Sequence, residues 1–147
     1  MRGCLTATSQ YSFRFPVLLP IECAYSHMMT GRCSSGLAAA FVRSFDDVWV
    51  KAYYDLGNHI RYAPTEAWLR ALGRSIAKLH IKDFKIDRAA SNDGKFVKIG
   101  DGSIDWKSAR RAIEEIGYHG WVTIESGEYT DAEHSALMDR FFAGQGV

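Results

Sequence analysis

Three short apolar runs of this sequence each lead to a side chain that can bind a metal or carry a proton. They are residues 48–54, followed by Asp55, residues 76–81, which include His80, and residues 121–124, followed by Glu125. Amphipathic segments separate the runs, and alternating strands and helices are typical of an α/β fold with a parallel sheet. Because parallel strands end at one common edge, we predict that these three side chains meet there.

Apolar residues at helical spacing predict the helices between these strands. The first predicted helix has its stripe at Leu37, Ala40, Phe41, Ser44 and Phe45. The second has its apolar face at residues 68–72, with Thr65 as the predicted N-cap and Gly73 as the predicted end. Both helices are therefore expected to pack on the sheet.

Two further helices follow the second strand. One runs from about Asp105 to Ile116 and stops at Gly117, because glycine readily ends a helix. The other begins with Thr130 and Glu133, which have the spacing of a capping box. These helices complete the alternation of strands and helices.

The segment between the second strand and the third helix is more polar. Residues 85–95 are predicted to form a polar connection with a turn at 92–94, and residues 96–99 a short extra strand. The loop 100–102 offers backbone N–H groups that could hold a phosphate. Asp101 repels anions, so a plain connecting turn is the favoured interpretation.

Length and composition restrict the function classes. A closed eightfold α/β barrel typically needs about 250 residues, and this chain has 147. Its hydrophobic content is 47% and its formal net charge is +1, without the basic excess of a nucleic-acid-binding protein. No apolar run reaches the roughly 18 residues of a membrane span. We therefore predict a cytoplasmic protein without nucleic acid or membrane partners.

Residues 1–36 differ in character from residues 37–147, and we predict a boundary between them. All three cysteines lie in this first segment, without the Cys-x-x-Cys spacing of a zinc site and in a number that leaves one unpaired. Residues 17–22 suggest a strand that ends at the segment's only acidic residue, Glu22, but Pro20 argues against a central strand. The segment is interpreted as a leader or as the remnant of a disrupted upstream half.

The chemistry of Asp55, His80 and Glu125 suits a hard or borderline divalent cation. Two carboxylates and one imidazole favour Mn²⁺, Mg²⁺, Co²⁺ or Zn²⁺ over thiophilic ions. Spacing alone favours a plainer interpretation, since such residues are common after strands as caps and turn residues.

Four stretches of the sequence together resemble the sugar-phosphate isomerase/epimerase family, whose members have a xylose-isomerase-like barrel. They are residues 51–58 (KAYYDLGN), 68–83 (WLRALGRSIAKLHIKD), 100–106 (GDGSIDW) and 117–125 (GYHGWVTIE). The likeness is greatest to the ketose-phosphate 3-epimerase branch and covers roughly residues 41–125. It implies a partial (β/α)8 TIM barrel, made of the C-terminal strand-helix units with parallel strands.

The resemblance also implies roles for individual residues. In that family Glu, Asp, His and Glu at the ends of the last four barrel strands hold a divalent metal. Asp55, His80 and Glu125 match the second, third and fourth ligands, and Glu22 is the acidic candidate for the first.

The resemblance also suggests two residues near the substrate, and for each of them a structural role is equally open. Asn58 falls where relatives have a residue near the substrate, and a turn role is equally open. Lys82 lies beside the histidine that matches the metal ligand, and a substrate contact and a solvated or structural lysine both fit its position. The remaining histidines singled out, His59, His119 and His134, are predicted to be surface residues.

The resemblance implies a small-molecule partner, a sugar or a sugar phosphate. The implied reaction is proton transfer at the carbon next to a ketose carbonyl, with Glu125 as one of two catalytic carboxylates. A sugar isomerase or lyase on the same scaffold is an alternative. The same superfamily also contains a metal-dependent endonuclease that acts at abasic sites. This function is disfavoured, because the multi-zinc site of that enzyme uses more histidine ligands than this chain supplies at its strand ends.

A half-barrel without catalysis, or an interaction module, is a further alternative. Half a barrel is expected to leave a large apolar inner surface, which a homo-oligomer would cover.

Overall fold

The computed structural model describes residues 34–125 and 130–147, together with the backbone of the strand at residues 17–20. Within these ranges strands and helices alternate as the sequence predicts. The elements are β1 (Val17–Pro20), α1 (Ser35–Arg43), β2 (Val50–Asp55), α2 (Leu56–His59), α3 (Thr65–Leu72), β3 (Ile76–Ile81), β4 (Asp83–Ile86), β5 (Gly94–Val97), α4 (Trp106–Glu115), β6 (Trp121–Ile124) and α5 (Asp131–Phe142). No helix in the described ranges is both long enough and apolar enough to cross a membrane.

The main sheet has four parallel strands in the order β1-β2-β3-β6. Asp55 of β2 lies opposite His80 of β3, and Ile81 lies opposite Ile124 of β6. The backbone N–H of Glu125 extends this ladder by donating to the carbonyl of Ile81 at 3.0 Å. The described strands form an open sheet, so the fold is the predicted partial α/β barrel.

The doubt about a strand near Pro20 is resolved by the position of β1. This strand pairs with β2 alone among the described strands, and it ends at Pro20. A proline is tolerated on an edge strand, since its missing N–H is not needed by a second neighbour.

Helices cover one face of the sheet, and the strands point their apolar side chains toward them. Ala52, Tyr54, Leu79 and Ile81 are fully buried on this face. Neighbouring helices also contact one another in the order α1, α3, α4, α5. The described hydrophobic core therefore lies between the sheet and this helical layer.

The opposite face of the sheet is polar along β2, β3 and β6, so the prediction of a large apolar inner surface is wrong for these strands. The Tyr53 hydroxyl is 3.0 Å from Thr123 Oγ1, and the Lys78 ammonium lies 4.7 Å from the centre of the Tyr53 ring. Among the described side chains of this face, Trp121 is a large hydrophobic residue that is exposed. Strand residues alternate between faces, and here the polar members of each strand share the inner one.

The apolar face of α1 was predicted wrongly. The helix buries Ala38, Ala39 and Val42, whereas Leu37 and Phe45 are about half exposed. The predicted stripe passed over these three residues, which are the ones that join the hydrophobic core. The helix also ends at residue 43, before the predicted Phe45.

The other helices follow the predicted patterns closely. In α3, Trp68, Leu69 and Leu72 are fully buried, and Gly73 ends the helix with φ at 51°. Thr65 is its first residue and not its N-cap, which is Pro64.

The two C-terminal helices have the predicted caps. Asp105 caps α4 by accepting a hydrogen bond from the N–H of Ser108 at 3.0 Å, and Gly117 follows the helix with φ at 63°. Thr130 and Glu133 form the predicted capping box of α5.

Residues 83–97 form a two-stranded antiparallel hairpin, which extends the predicted single strand. Its turn lies where the sequence predicts it, with Asp93 at φ 57° and Gly94 at φ 138°. A side chain at Gly94 would collide with the carbonyl oxygen of Lys85, so this turn requires glycine.

Candidate metal centre

Three successive strands bring Asp55, His80 and Glu125 to one edge of the sheet. Asp55 is the last residue of β2, His80 is its register partner on β3, and Glu125 directly follows β6. One oxygen or nitrogen atom from each side chain lies within 4.8 Å of the other two. The structure therefore brings together the three side chains that the sequence predicted to converge.

The imidazole of His80 lies between the two carboxylates. Its Nδ1 atom is 3.1 Å from Asp55 Oδ2, and its Nε2 atom is 3.5 Å from Glu125 Oε2. The Asp55 side chain is 8% exposed and that of Glu125 is 59% exposed. The side chain of Asp55 is thus enclosed, whereas Glu125 faces the opening of the site.

Asp55 has a second role as the cap of α2. Its Oδ1 atom accepts a hydrogen bond from the N–H of Asn58 at 2.8 Å, which leaves Oδ2 directed at His80. Burial pushes the pKa of Asp55 upward, but the hydrogen bonds from His80 and Asn58 and the charge of Lys82 outweigh it. The pKa of Asp55 is therefore lowered, and the group is anionic at neutral pH.

Lys82 belongs to the same cluster. Its Nζ atom is 2.9 Å from Glu125 Oε2 and 3.5 Å from Asp55 Oδ2, and its side chain is only 14% exposed. This burial contradicts the reading of Lys82 as a solvated lysine. Residues 80 and 82 project from the same face of the chain, because side chains in extended backbone alternate with a period of two.

Gly57 allows Lys82 to approach the centre. A Cβ atom on Gly57 would lie 2.7 Å from Lys82 Cγ and 2.9 Å from the Lys82 carbonyl oxygen. Real contacts of this kind are longer, so any side chain here would displace Lys82. The glycine that the sequence suggested for a turn instead lies within α2 and makes room for the lysine.

The donor set fits a divalent cation. Two carboxylates and one imidazole offer three ligand atoms. A divalent cation binds more ligands than three, so its remaining coordination positions would be open to substrate oxygens. The Lys82 ammonium lies between the two carboxylates, which shows that this position attracts positive charge. These contacts support a cation site formed by Asp55, His80 and Glu125.

Aromatic residues support the centre from two sides. The Tyr53 ring lies 5.3 Å from the His80 ring on the open face of the sheet. On the helix-covered face, His59 is buried and its Nδ1–H donates to the Asp55 carbonyl at 2.9 Å, so its assignment to the surface is wrong. The His59 ring also packs against the Trp68 ring, with 4.8 Å between their centres. Only the tertiary structure brings these two rings together, so the sequence did not indicate this burial.

The other two histidines were also predicted to lie at the surface. Residue 119 is exposed as predicted, and residue 134 is partly buried.

Asp83 is a structural carboxylate whose role the sequence did not reveal. Its side chain is fully buried and accepts four hydrogen bonds, from the N–H groups of Phe84, Gly100 and Gly102 and from Trp106 Nε1. We call these five residues the Asp83 cluster. Asp83 lies between Lys82 and Phe84, so no apolar run signals its burial, and three of its four donors come from residues 17 or more positions away.

The Asp83 cluster also explains the loop at residues 100–102. The N–H groups of Gly100 and Gly102 point inward to the carboxylate, so they are engaged within the chain. The favoured interpretation of this loop as a connecting turn agrees with these bonds.

Two predicted site residues need separate comment. Asn58 is partly buried next to the centre, with its N–H bonded to Asp55 and its carbonyl accepting from Arg61 Nε at 3.2 Å. Its contact with a substrate stays a prediction. Glu22, the candidate fourth ligand, lies outside the described residues.

The sequence profile of the xylose isomerase-like TIM barrel family matches residues 20–140. Inosose dehydratase of Geobacillus thermodenitrificans (strain NG80-2) is 29% identical over 117 residues, which span 69% of this chain and 39% of that enzyme. Inosose dehydratase of Klebsiella pneumoniae (strain 342) is 29% identical over 121 residues, with coverage of 71% and 40%. The chain thus spans about 40% of these curated relatives.

A solved structure shares the fold. A xylose isomerase domain protein from Planctomyces limnophilus superposes with a TM-score of 0.65 at 22% sequence identity. The match covers 76% of this chain and 42% of that protein.

Proposed function

This chain belongs to the xylose isomerase-like TIM barrel family, and we propose that it provides the metal centre for proton transfer next to the carbonyl of a small ketose or ketose phosphate. The observation that carries the proposal is the convergence of Asp55, His80 and Glu125 within 4.8 Å at the carboxyl edge of the sheet. Barrel enzymes place their chemistry at this edge.

Asp55, His80 and Glu125 would hold the cation, which is Mn²⁺, Mg²⁺, Co²⁺ or Zn²⁺ by the chemistry of the donors. When bound, it would polarise the carbonyl and the adjacent hydroxyl of the sugar. Asp55 and His80 are held in place by backbone and ring contacts, so they supply the rigid part of the site. Glu22 is retained in the proposal as a fourth ligand.

Glu125 is the residue that we propose as the catalytic acid or base. It is the most exposed carboxylate of the cluster, and it follows the end of β6, where it faces the opening. A carboxylate in this position can remove a proton from the sugar carbon and return it. Epimerisation needs a second group on the opposite face, and Glu22 is the proposed partner.

Lys82 and Asn58 are proposed to contact the substrate. The Lys82 ammonium already binds Glu125 and Asp55, so it can donate to a sugar oxygen that gains negative charge during proton transfer. Asn58 lies one turn from Asp55 and has its backbone engaged, which leaves its side-chain amide as the group offered to a ligand.

The curated relatives support a second candidate reaction. The two relatives described above are inosose dehydratases, and a dehydration of a keto sugar can also begin by proton removal next to the carbonyl. The proposed roles of the cluster are the same in both cases, and the reactions differ in whether a proton returns or a hydroxyl leaves. A half-barrel that binds without catalysis is the third alternative.

The metal proposal is tested by titrating Mn²⁺ into the purified chain and measuring heat. We expect saturable binding that is lost in His80→Ala, whereas His119→Ala, which removes an exposed histidine, binds as the wild type does. A loss in Glu22→Gln as well would support the fourth ligand. Equal binding by His80→Ala and wild type would disprove the centre.

The reaction is tested by proton NMR in D₂O with Mn²⁺ present. Epimerisation would give the inverted ketose with deuterium at the reacting carbon, whereas dehydration of an inosose would release water and form an unsaturated product. Metal binding without exchange of any proton would support the non-catalytic alternative. Glu125→Gln is the variant in which exchange should disappear while His119→Ala retains it.

A further inference from the structure

A second feature lies on the same edge of the sheet as the metal centre. A cavity of about 700 Å³ is lined by Ser34, Ser35, Arg61, Tyr62, Ala63, Arg88 and Asp93. These residues belong to three segments that precede α1, follow α2 and form the β4–β5 hairpin. The volume is in the range of small-molecule sites.

Arg61 is held with its guanidinium in a defined place. Its Nε atom donates to the carbonyl of Asn58 at 3.2 Å, and the guanidinium lies 4.5 Å from the centre of the Phe84 ring. No acceptor in the described part of the chain bonds to its two terminal nitrogens. An arginine fixed in this way keeps its two terminal nitrogens, with four N–H donors, for a ligand.

Arg88 lies beside Arg61 in the wall of the cavity. Its Nη2 atom donates to the Arg61 carbonyl at 2.8 Å, and its Nη1 atom is 3.6 Å from Asp93 Oδ1. Asp93 is the acidic residue among the described lining residues, so the two arginines leave an excess of positive charge. The hydroxyl of Ser35 lies in the same lining.

We propose that this cavity binds the phosphate group of a phosphorylated sugar. Two guanidinium groups and a hydroxyl are the donors that recognise phosphate oxygens. The inference rests on the proposed function, because it places the sugar part of the ligand at the proposed metal centre. Asn58 connects the two places, because its N–H bonds to Asp55 and its carbonyl to Arg61.

The site is tested first without metal. Inorganic phosphate is titrated into the chain in the presence of EDTA, and the dissociation constant is measured by calorimetry. Arg88→Gln and Arg61→Gln should each weaken binding by about tenfold or more, the effect of losing a charge-assisted hydrogen bond. Arg111→Gln, which removes the same charge from an exposed position on α4, should stay within about twofold of wild type.

No binding by wild type, or equal weakening by Arg111→Gln, would show that no built phosphate site exists and would overturn the proposal. Arg61 also stacks on Phe84, so thermal melting checks that Arg61→Gln is folded. Arg88 is exposed, and Arg88→Gln alone decides the result if the other variant does not fold.

A second experiment separates free phosphate from a sugar phosphate. D-Ribulose 5-phosphate, D-ribulose and inorganic phosphate are compared with Mn²⁺ present, and ³¹P relaxation reports the approach of phosphorus to the metal. We expect the sugar phosphate to bind about tenfold tighter than either part, and this advantage to vanish in Arg88→Gln. Equal affinity for inorganic phosphate and the sugar phosphate would contradict a shared site.

These experiments also separate the two proposals. The titration with EDTA needs no metal, so its failure overturns the phosphate site and leaves the metal centre untouched. Failure of Mn²⁺ binding by wild type would disprove the metal centre, while the phosphate titration would still be informative.

Discussion

The metal centre and the Asp83 cluster both depend on carboxylates near the carboxyl edge of the sheet, but their partners differ. Asp83 is fully buried and accepts four hydrogen bonds from N–H groups of its own loop and helix. Asp55 and Glu125 instead face the side chains of His80 and Lys82, and Glu125 also stays open to solvent. The partners of a carboxylate, and not its place after a strand, therefore decide whether it is available to a ligand.

The two regions therefore differ in how strongly they attract a cation. Fixed N–H donors satisfy Asp83 completely, so a cation has no advantage there. The two carboxylates of the metal centre share one imidazole and one ammonium, and a divalent cation can replace the ammonium between them. Removing a carboxylate should therefore damage the fold in one region and ligand binding in the other.

Asp83→Ala is expected to have the largest effect on stability. It leaves the N–H groups of Gly100 and Gly102 and the Trp106 indole without their acceptor, at a cost of about 3–5 kcal/mol. Urea unfolding measures this change, and Asp101→Ala, in the same loop but exposed, should change stability by less than about 0.5 kcal/mol. Equal effects of the two variants would remove the distinction between the regions.

Asp55→Asn should damage binding more than folding. Asparagine can still cap α2, so the fold is retained, but the anionic ligand is lost. We expect Mn²⁺ affinity to fall at least about 100-fold, the upper end of what losing a supporting residue costs. A folded variant with unchanged affinity would contradict the assignment of this ligand.

The same variant has a pH signature in the metal-free protein. Because the pKa of Asp55 is lowered below its ordinary 3.8, its carboxylate stabilises the fold above that value and loses this contribution as the pH falls through the folded pKa. The difference in free energy of unfolding between wild type and Asp55→Asn should therefore shrink below about pH 4. Urea titrations at three pH values test this.

Gly57→Ala is a smaller perturbation of the metal centre. The added Cβ would displace Lys82, and we expect a loss of about 1–2 kcal/mol in unfolding free energy. Gly36→Ala is the matched control in α1, where space is open, and it should stabilise by about 0.5 kcal/mol. Destabilisation by both variants to the same extent would mean that the contact with Lys82 is not the cause.

Tyr53→Phe is expected to have the smallest effect. It removes the hydroxyl contact with Thr123, worth about 1 kcal/mol, but keeps the ring beside His80. Mn²⁺ affinity should stay within about twofold of wild type. A double-mutant cycle with Thr123→Val measures the coupling between the two residues, and no coupling would show that the contact contributes nothing.

Sequence reasoning predicted the elements well where the signal is local. The bounds of β3 and β6 and the capping box of α5 agree with the structure, because periodicity and caps involve neighbours in the chain. It failed at α1, where small alanines form the buried face and the large side chains do not. Which face of a helix meets the sheet depends on close packing, which single-residue hydrophobicity does not measure.

The convergence of Asp55, His80 and Glu125 was predictable because parallel strands must share an edge, and a side chain at each strand end needs no knowledge of distant contacts. Four features were decided by the tertiary structure alone: the ion pairs of Lys82, the burial of His59, the hydrogen bonds of Asp83 and the polar inner face. The ion pairs of Lys82 and most hydrogen bonds of Asp83 join residues that are 17 or more positions apart. The burial of His59 and the polar inner face depend on which side of the sheet the helices cover. The sequence by itself therefore determined which side chains reach the edge, whereas the packing of strands and helices decided which partners meet them.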